Sequence, residues 1–168
     1  MKKQRLTLGG FLTLFTILGM LFLIVEITFR ALFGATVGYI PNVTYPSMMG
    51  YTSLWMILIG GAAGVLIGLL NEKGHSMPKV VECIFGTLII LAVEFLGGVI
   101  FNLLLGLSLW DYSNMKFNLL GQISLGHAVV WFFLCPFGFW ADDQIRHYLF
   151  KTHEKYSLLS SYKKLLGF

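Results

Sequence analysis

Residues 80–107 read VVECIFGTLIILAVEFLGGVIFNLLLGL, and the fold turns on this stretch. Only Glu82 and Glu94 in it are charged, and it holds no Lys or Arg. About 20 helical residues cross a bilayer's hydrocarbon core. The run therefore spans one, with length left over for tilt or for extension past the lipid. Three further apolar runs accompany it, at residues 8–33, 53–70 and 123–150. Their apolar residues are continuous, whereas the strands of a membrane barrel alternate over about 10 residues. The whole chain is 57% hydrophobic and 12% charged, against roughly 25% charged in soluble domains. Too little polar surface exists to cover a water-soluble fold. The expected fold is all-α, an integral membrane four-helix bundle over residues 1–150. A basic, amphipathic C-terminal tail occupies residues 151–168.

The basic residues predict an orientation. Lys2, Lys3 and Arg5 precede the first span; Lys73 and Lys79 lie between the second and third; Arg146, Lys151, Lys155, Lys163 and Lys164 end or follow the fourth. The opposite side has only Lys116, and Arg30 lies inside the first span. Cytoplasmic loops collect Lys and Arg, so both termini are expected in the cytoplasm of a multi-pass plasma-membrane protein. The net charge of +4 is then a topology signal, and nucleic acid is not an expected partner. The basic start and long apolar run are read as a retained helix, because the run is too long for a signal-peptide core. In the tail, Tyr156, Leu159, Tyr162 and Leu166 recur every three or four residues among the lysines. Such a segment is expected along the inner leaflet, drawn to anionic lipid. Asn42-Val43-Thr44 is a glycosylation sequon in form.

Gly60, Gly64 and Gly68 recur every four residues in the second span. They make a smooth stripe on which another backbone can close, either inside the bundle or in a homodimer. Pro136 sits inside the fourth span, where it should kink the helix or free a carbonyl.

Ionisable groups within spans are costly to bury and mark functional sites by default. Glu26 and Arg30 are spaced i, i+4 on one helical face and suit mutual neutralisation. Glu94 has no basic residue within a helical turn, so it must be protonated, paired with another helix or facing water. Glu26, Arg30, Asp111, Asn118 and His127 fall in the outer third of the membrane by the expected topology, and Glu94 lies near the middle of its span. A polar cavity open to the outside, lined by Glu26, Arg30, Glu94, Asp111, Asn118 and His127, would explain the clustering. Asp142, Asp143 and His147 end the fourth span. Asp143 and His147 have the i, i+4 spacing of helical metal ligands, but no third ligand is fixed, and a solvated helix end is the expectation. Cys83 and Cys135 belong to no ligand-spaced cluster. No hydrolase, ATPase or metalloenzyme motif is present, so neither catalysis nor a metal or cofactor is expected.

Val25-Glu26-Ile27, Thr52-Ser53-Leu54-Trp55 and Glu94-Phe95 with Gly98 form one set of motifs. More specific is Trp110-Asp111-Tyr112-Ser113 followed by Phe117, Asn118, Gly121, Ile123, Leu125 and Trp131. On these residues the chain resembles the putative ABC-transporter type IV family, also called CmpB-like, whose animal members are the transmembrane protein 229 group. The resemblance implies a small multi-span membrane protein, transport-related, as a permease-like or substrate-binding subunit. The chain lacks a G-x-x-x-x-G-K-[ST] loop, so any ATPase would act in trans, and residues 71–79 leave little room for a coupling helix. Four spans are few for a complete carrier, so a homo-oligomer or partner membrane protein is expected. The alternative is a non-transporting module that binds lipid or a partner membrane protein.

Overall fold

The computed structural model describes residues 7–33, 50–73 and 77–167. Lys2, Lys3, Arg5, Pro41, Pro46 and the sequon at Asn42 lie outside the described residues. Helix α1 spans Leu8–Phe33, α2 Met56–Lys73 and α3 Lys79–Gly98, the last continuing as a π-helical turn over Val99–Leu104. A two-stranded hairpin follows, β1 (Asn118–Leu119) against β2 (Ile123–Ser124), antiparallel with Asn118 opposite Ser124. Helix α4 spans Leu125–Ile145 and widens into a π-helical turn over Arg146–Phe150, and α5 spans Leu158–Leu166. Four of these helices are long and apolar enough to cross a membrane: Leu8–Leu32, Met56–Lys73, Lys79–Leu104 and Leu125–Phe150.

The helix ends follow local chemistry. Thr7 Oγ1 accepts from Gly10 N at 3.1 Å, and Ser124 and Ser157 cap α4 and α5 in the same way, each satisfying a backbone donor the helix leaves orphaned. Pro78 opens α3, where a missing N–H is harmless. α5 stops at Gly167, whose φ of +84° favours glycine.

Helix α2 is central, packing against α1, α3 and α4. Its glycines explain how. Gly60 abuts Phe22 and Gly64 abuts Leu18, so a Cβ at Gly64 would sit 2.7 Å from that of Leu18. Gly68 abuts the Asp142 carboxyl on α4. The stripe is thus occupied within the chain. The main core joins Ile67, Cys83, Ile90, Cys135 and Phe139 with Leu165 of α5. Leu58, Leu66, Phe85, Leu88, Val129 and Phe133 point outward, each at least two-fifths exposed. Such a surface suits lipid rather than water.

α4 runs through Pro136 without a break. The proline withdraws the donor that would serve the Phe132 carbonyl. One residue on, Phe133 O accepts from Tyr162 Oη at 2.9 Å. α5 therefore docks on α4 and α3, with Ser161 and Leu165 buried. Hydrogen bonding and core burial hold this part of the tail against the bundle.

Candidate binding cavity

Helices α1, α3 and α4 each place one ionisable side chain around a cavity of about 40 Å³ near the hairpin. Glu26, Glu94 and His127 line it with Tyr112, Trp131 and Phe22. On α1, Arg30 Nη2 lies 2.6 Å from Glu26 Oε1. Thr52 Oγ1 donates to Glu26 Oε2 at 2.6 Å, and Arg30 also donates to the Leu109 carbonyl at 3.3 Å. Arg30 is thus committed to Glu26 and to the chain leading into the hairpin. On α3, Glu94 is 2% exposed, and Trp131 Nε1 on α4 donates to its Oε2 at 2.8 Å. Phe22 stacks on Trp131, ring centroids 5.5 Å apart. His127 Nδ1 lies 2.9 Å from Ser124 Oγ, and its ring stacks on Tyr112 at 4.0 Å.

The segment leading into the hairpin reaches this cavity through Tyr112. Asn102, in the π-helical turn, donates to Trp110 O at 3.1 Å and to Gln122 Oε1 at 2.8 Å, and accepts from Leu109 N at 2.7 Å. Trp110 Nε1 donates to Gln122 O at 2.9 Å. Trp110 and Tyr112 are both buried, so the segment inserts its aromatic rings into the bundle. A Cβ at Gly98 would collide with the Gln122 side chain, so glycine there lets the hairpin close on α3. Burial, reinforced by the Glu94 and Glu26 carboxylates, pushes the Tyr112 phenol well above its ordinary pKa. Its hydroxyl therefore stays neutral.

Two residues expected in the cavity build the hairpin instead. Asp111 is exposed, and Oδ1 accepts from Ser113 N at 2.8 Å and from Ser113 Oγ. These bonds, first that from the hydroxyl, hold its carboxyl below its ordinary pKa. Asn118 donates to Ser113 O at 3.2 Å and Met115 O at 2.7 Å, and accepts from Gly121 N at 3.0 Å. An Asp or Asn in a turn bonds nearby backbone first, which draws both side chains away from the cavity. Gly121, at φ +69°, faces Asp111; a Cβ there would lie 2.7 Å from Asp111 Oδ1. Trp55 is half exposed and packs on Phe101 at 5.1 Å. Arg30 reaches the site through Glu26, while Tyr112 and Trp131, read from the sequence only as motif residues, are wall residues.

A second polar cluster lies at the lysine-rich end. Arg146 Nε meets Asp142 Oδ2 at 2.7 Å, and Nη1 meets Glu72 Oε1 at 2.5 Å. Asn71 Nδ2 donates to both Asp143 oxygens at 3.0 Å, and Tyr156 Oη donates to Asp143 Oδ2 at 2.7 Å. His153 Nε2 stands 3.8 Å from Glu72 Oε1 and 3.7 Å from Asp143 Oδ1. Asp142 is 0% exposed, and Asp143 and Arg146 are buried. The helix end expected to be solvated is thus an interior network. α2, α4 and the tail converge on it, and His147 stands apart, its Nδ1 2.6 Å from the His153 carbonyl oxygen. One signal for it lay in the sequence: Asp142 and Arg146 repeat the i, i+4 spacing of Glu26 and Arg30.

The fold and cavity define a helical membrane protein with polar groups enclosed in an apolar bundle. The family model described as Putative ABC-transporter type IV matches residues 13–160, and the chain belongs to that family. The match takes in the cavity, the hairpin and the lysine-rich network. No solved structure matches the chain.

Proposed function

We propose that this chain is a transport-related subunit, permease-like or substrate-binding, whose cavity at the hairpin end takes a small cation or a proton at Glu94. One observation carries the reading. Glu94 is buried on the cavity wall and is met by the neutral indole of Trp131. Among the described residues no basic side chain forms an ion pair with it. Arg30, the one basic residue within the first span, is bound to Glu26. A carboxylate held in low dielectric without a counter-ion favours arrival of positive charge. The cavity faces outward in this reading, and the lysine-rich end, with both termini, faces the cytoplasm of a multi-pass plasma-membrane protein. Turnover would then involve a second copy, a partner membrane protein or an ATPase in trans. Kinship with the transmembrane protein 229 group is part of the same proposal.

The test is solid-supported-membrane electrophysiology on proteoliposomes, with wild type and Glu94→Gln at matched thermal stability. Jumps in Na⁺, K⁺, methylammonium or proton concentration should give a binding current in the wild type that Glu94→Gln abolishes. Equal currents in both proteins, or none in the wild type, would sink the reading.

A further inference from the structure

Helices α1 and α4 pack closely only in part. Beside the cavity they leave an apolar groove of about 520 Å³, lined by Ile24, Val25, Phe29, Val129, Val130 and Leu134 among others. Its outer rim is exposed, with Ile24 at 58% and Val129 at 53%, so in a bilayer it opens sideways to lipid. Thr28 is the single hydroxyl in its lining, and that group already donates to Ile24 O at 2.8 Å. Val25, Phe29, Val130 and Leu134 wall both the groove and the Glu94 cavity. One layer of side chains separates an apolar trough from a buried carboxylate.

We propose that groove and cavity form one binding site for a long-chain amphiphile with a primary ammonium head. The alkyl chain lies between α1 and α4, and the ammonium passes Val25 and Val130 to meet Glu94. This rests on the cavity reading above and names its ligand class. Charge selects the head: Glu26 on the cavity wall is paired with Arg30, while Glu94 has no basic partner among the described residues, so an ammonium can form there the ion pair that an alcohol or a carboxylate head cannot. Size is compatible: at about 10–15 Å³ for each water-sized group, the cavity of about 40 Å³ has room for a primary ammonium. The groove's volume lies within the roughly 300–1,000 Å³ of small-molecule sites.

The experiment uses the full chain in nanodiscs, with hexadecylamine, hexadecan-1-ol and hexadecanoate at equal bilayer mole fraction. Retention is read by native mass spectrometry, and methylamine binding by calorimetry. Hexadecylamine should be retained one to one, at least ten-fold over the alcohol and the carboxylate. Glu94→Gln, which keeps an acceptor for Trp131, should lose that preference at unchanged thermal stability. Val129→Trp, which fills the groove from a residue that does not itself line the cavity, should weaken hexadecylamine at least ten-fold and leave methylamine unaffected. Equal retention of the three chains would overturn the proposal and make the groove ordinary lipid contact. Methylamine binding as tightly as hexadecylamine would overturn it while leaving the cavity reading intact. If neither amine binds, the amphiphile proposal fails, and the Na⁺, K⁺ and proton currents decide the cavity reading separately.

Discussion

Replacing Arg146 with Gln tests the lysine-rich network most sharply. The guanidinium bridges Asp142 at 2.7 Å and Glu72 at 2.5 Å, and is 4% exposed. The two carboxylates differ in environment. Glu72 is 20% exposed, and water can take over its solvation; such a pair contributes about 0–1 kcal/mol. Asp142 is 0% exposed and pressed against Gly68, where even a Cβ would come within 2.5 Å of its carboxyl carbon. No water can replace the arginine there. Removing one partner of a buried pair costs roughly 3–5 kcal/mol. Arg146→Gln should therefore destabilise the protein by about 3 kcal/mol, about two orders of magnitude in the folded-to-unfolded ratio. Steric-trap unfolding in bicelles reads this directly. Adding Asp142→Asn should recover most of the loss, because a neutral amide tolerates the site where an unpaired carboxylate does not. A cost under about 1 kcal/mol, or no recovery in the double variant, would refute the assignment of Asp142 as the arginine's buried dependant.

Four other outcomes are expected. Gly68→Ala should cost about 1–3 kcal/mol in the same assay, because its Cβ meets a carboxyl that Arg146 holds in place. Trp131→Phe keeps the ring against Phe22 and removes the donor to Glu94; the loss should be about 1.5–3 kcal/mol, measured by thermal unfolding in nanodiscs. Tyr156 is pushed above its ordinary pKa by burial and then by its bond to Asp143. The raised value means its contribution is complete below about pH 10 and lost as pH rises further, so a spin label at Leu159 should gain mobility only above that point, and Tyr156→Phe should remove the dependence. Asp111→Asn should loosen the hairpin by about 1 kcal/mol or less, read by proteolysis of residues 105–122, and leave cation binding unchanged; a binding loss equal to that of Glu94→Gln would return Asp111 to the site.

The four long helices were legible because each is an uninterrupted apolar run, and no soluble pattern competes with that. The Glu26–Arg30 pair was legible for a similar reason, since helical spacing alone brings the two side chains together. The partner of Glu94 was not. Trp131 lies 37 positions along the chain on another helix, and an aromatic near a membrane interface is common enough to hide one particular indole. Asp111 and Asn118 misled because polarity was taken as a sign of the cavity, whereas their short side chains close on backbone within three residues or so. The lysine-rich network stayed hidden because its members come from α2, α4 and the tail. Charge at the end of a span looks the same in sequence whether water or a folded tail covers it.

The π-helical turn at Val99–Leu104 bears on how this chain can change length. A π turn carries one residue more than the α turn it replaces. Asn102, the residue that holds Leu109, Trp110 and Gln122, sits within it. Deleting one residue from 99–101 would change both the winding and the residue count ahead of Asn102, and so re-aim its side chain relative to all three partners. Insertions or deletions in the hairpin-side third of α3 should therefore be purged even where the apolar run stays long enough to cross a bilayer. Its length answers to the aromatic lid and not only to the thickness of the lipid.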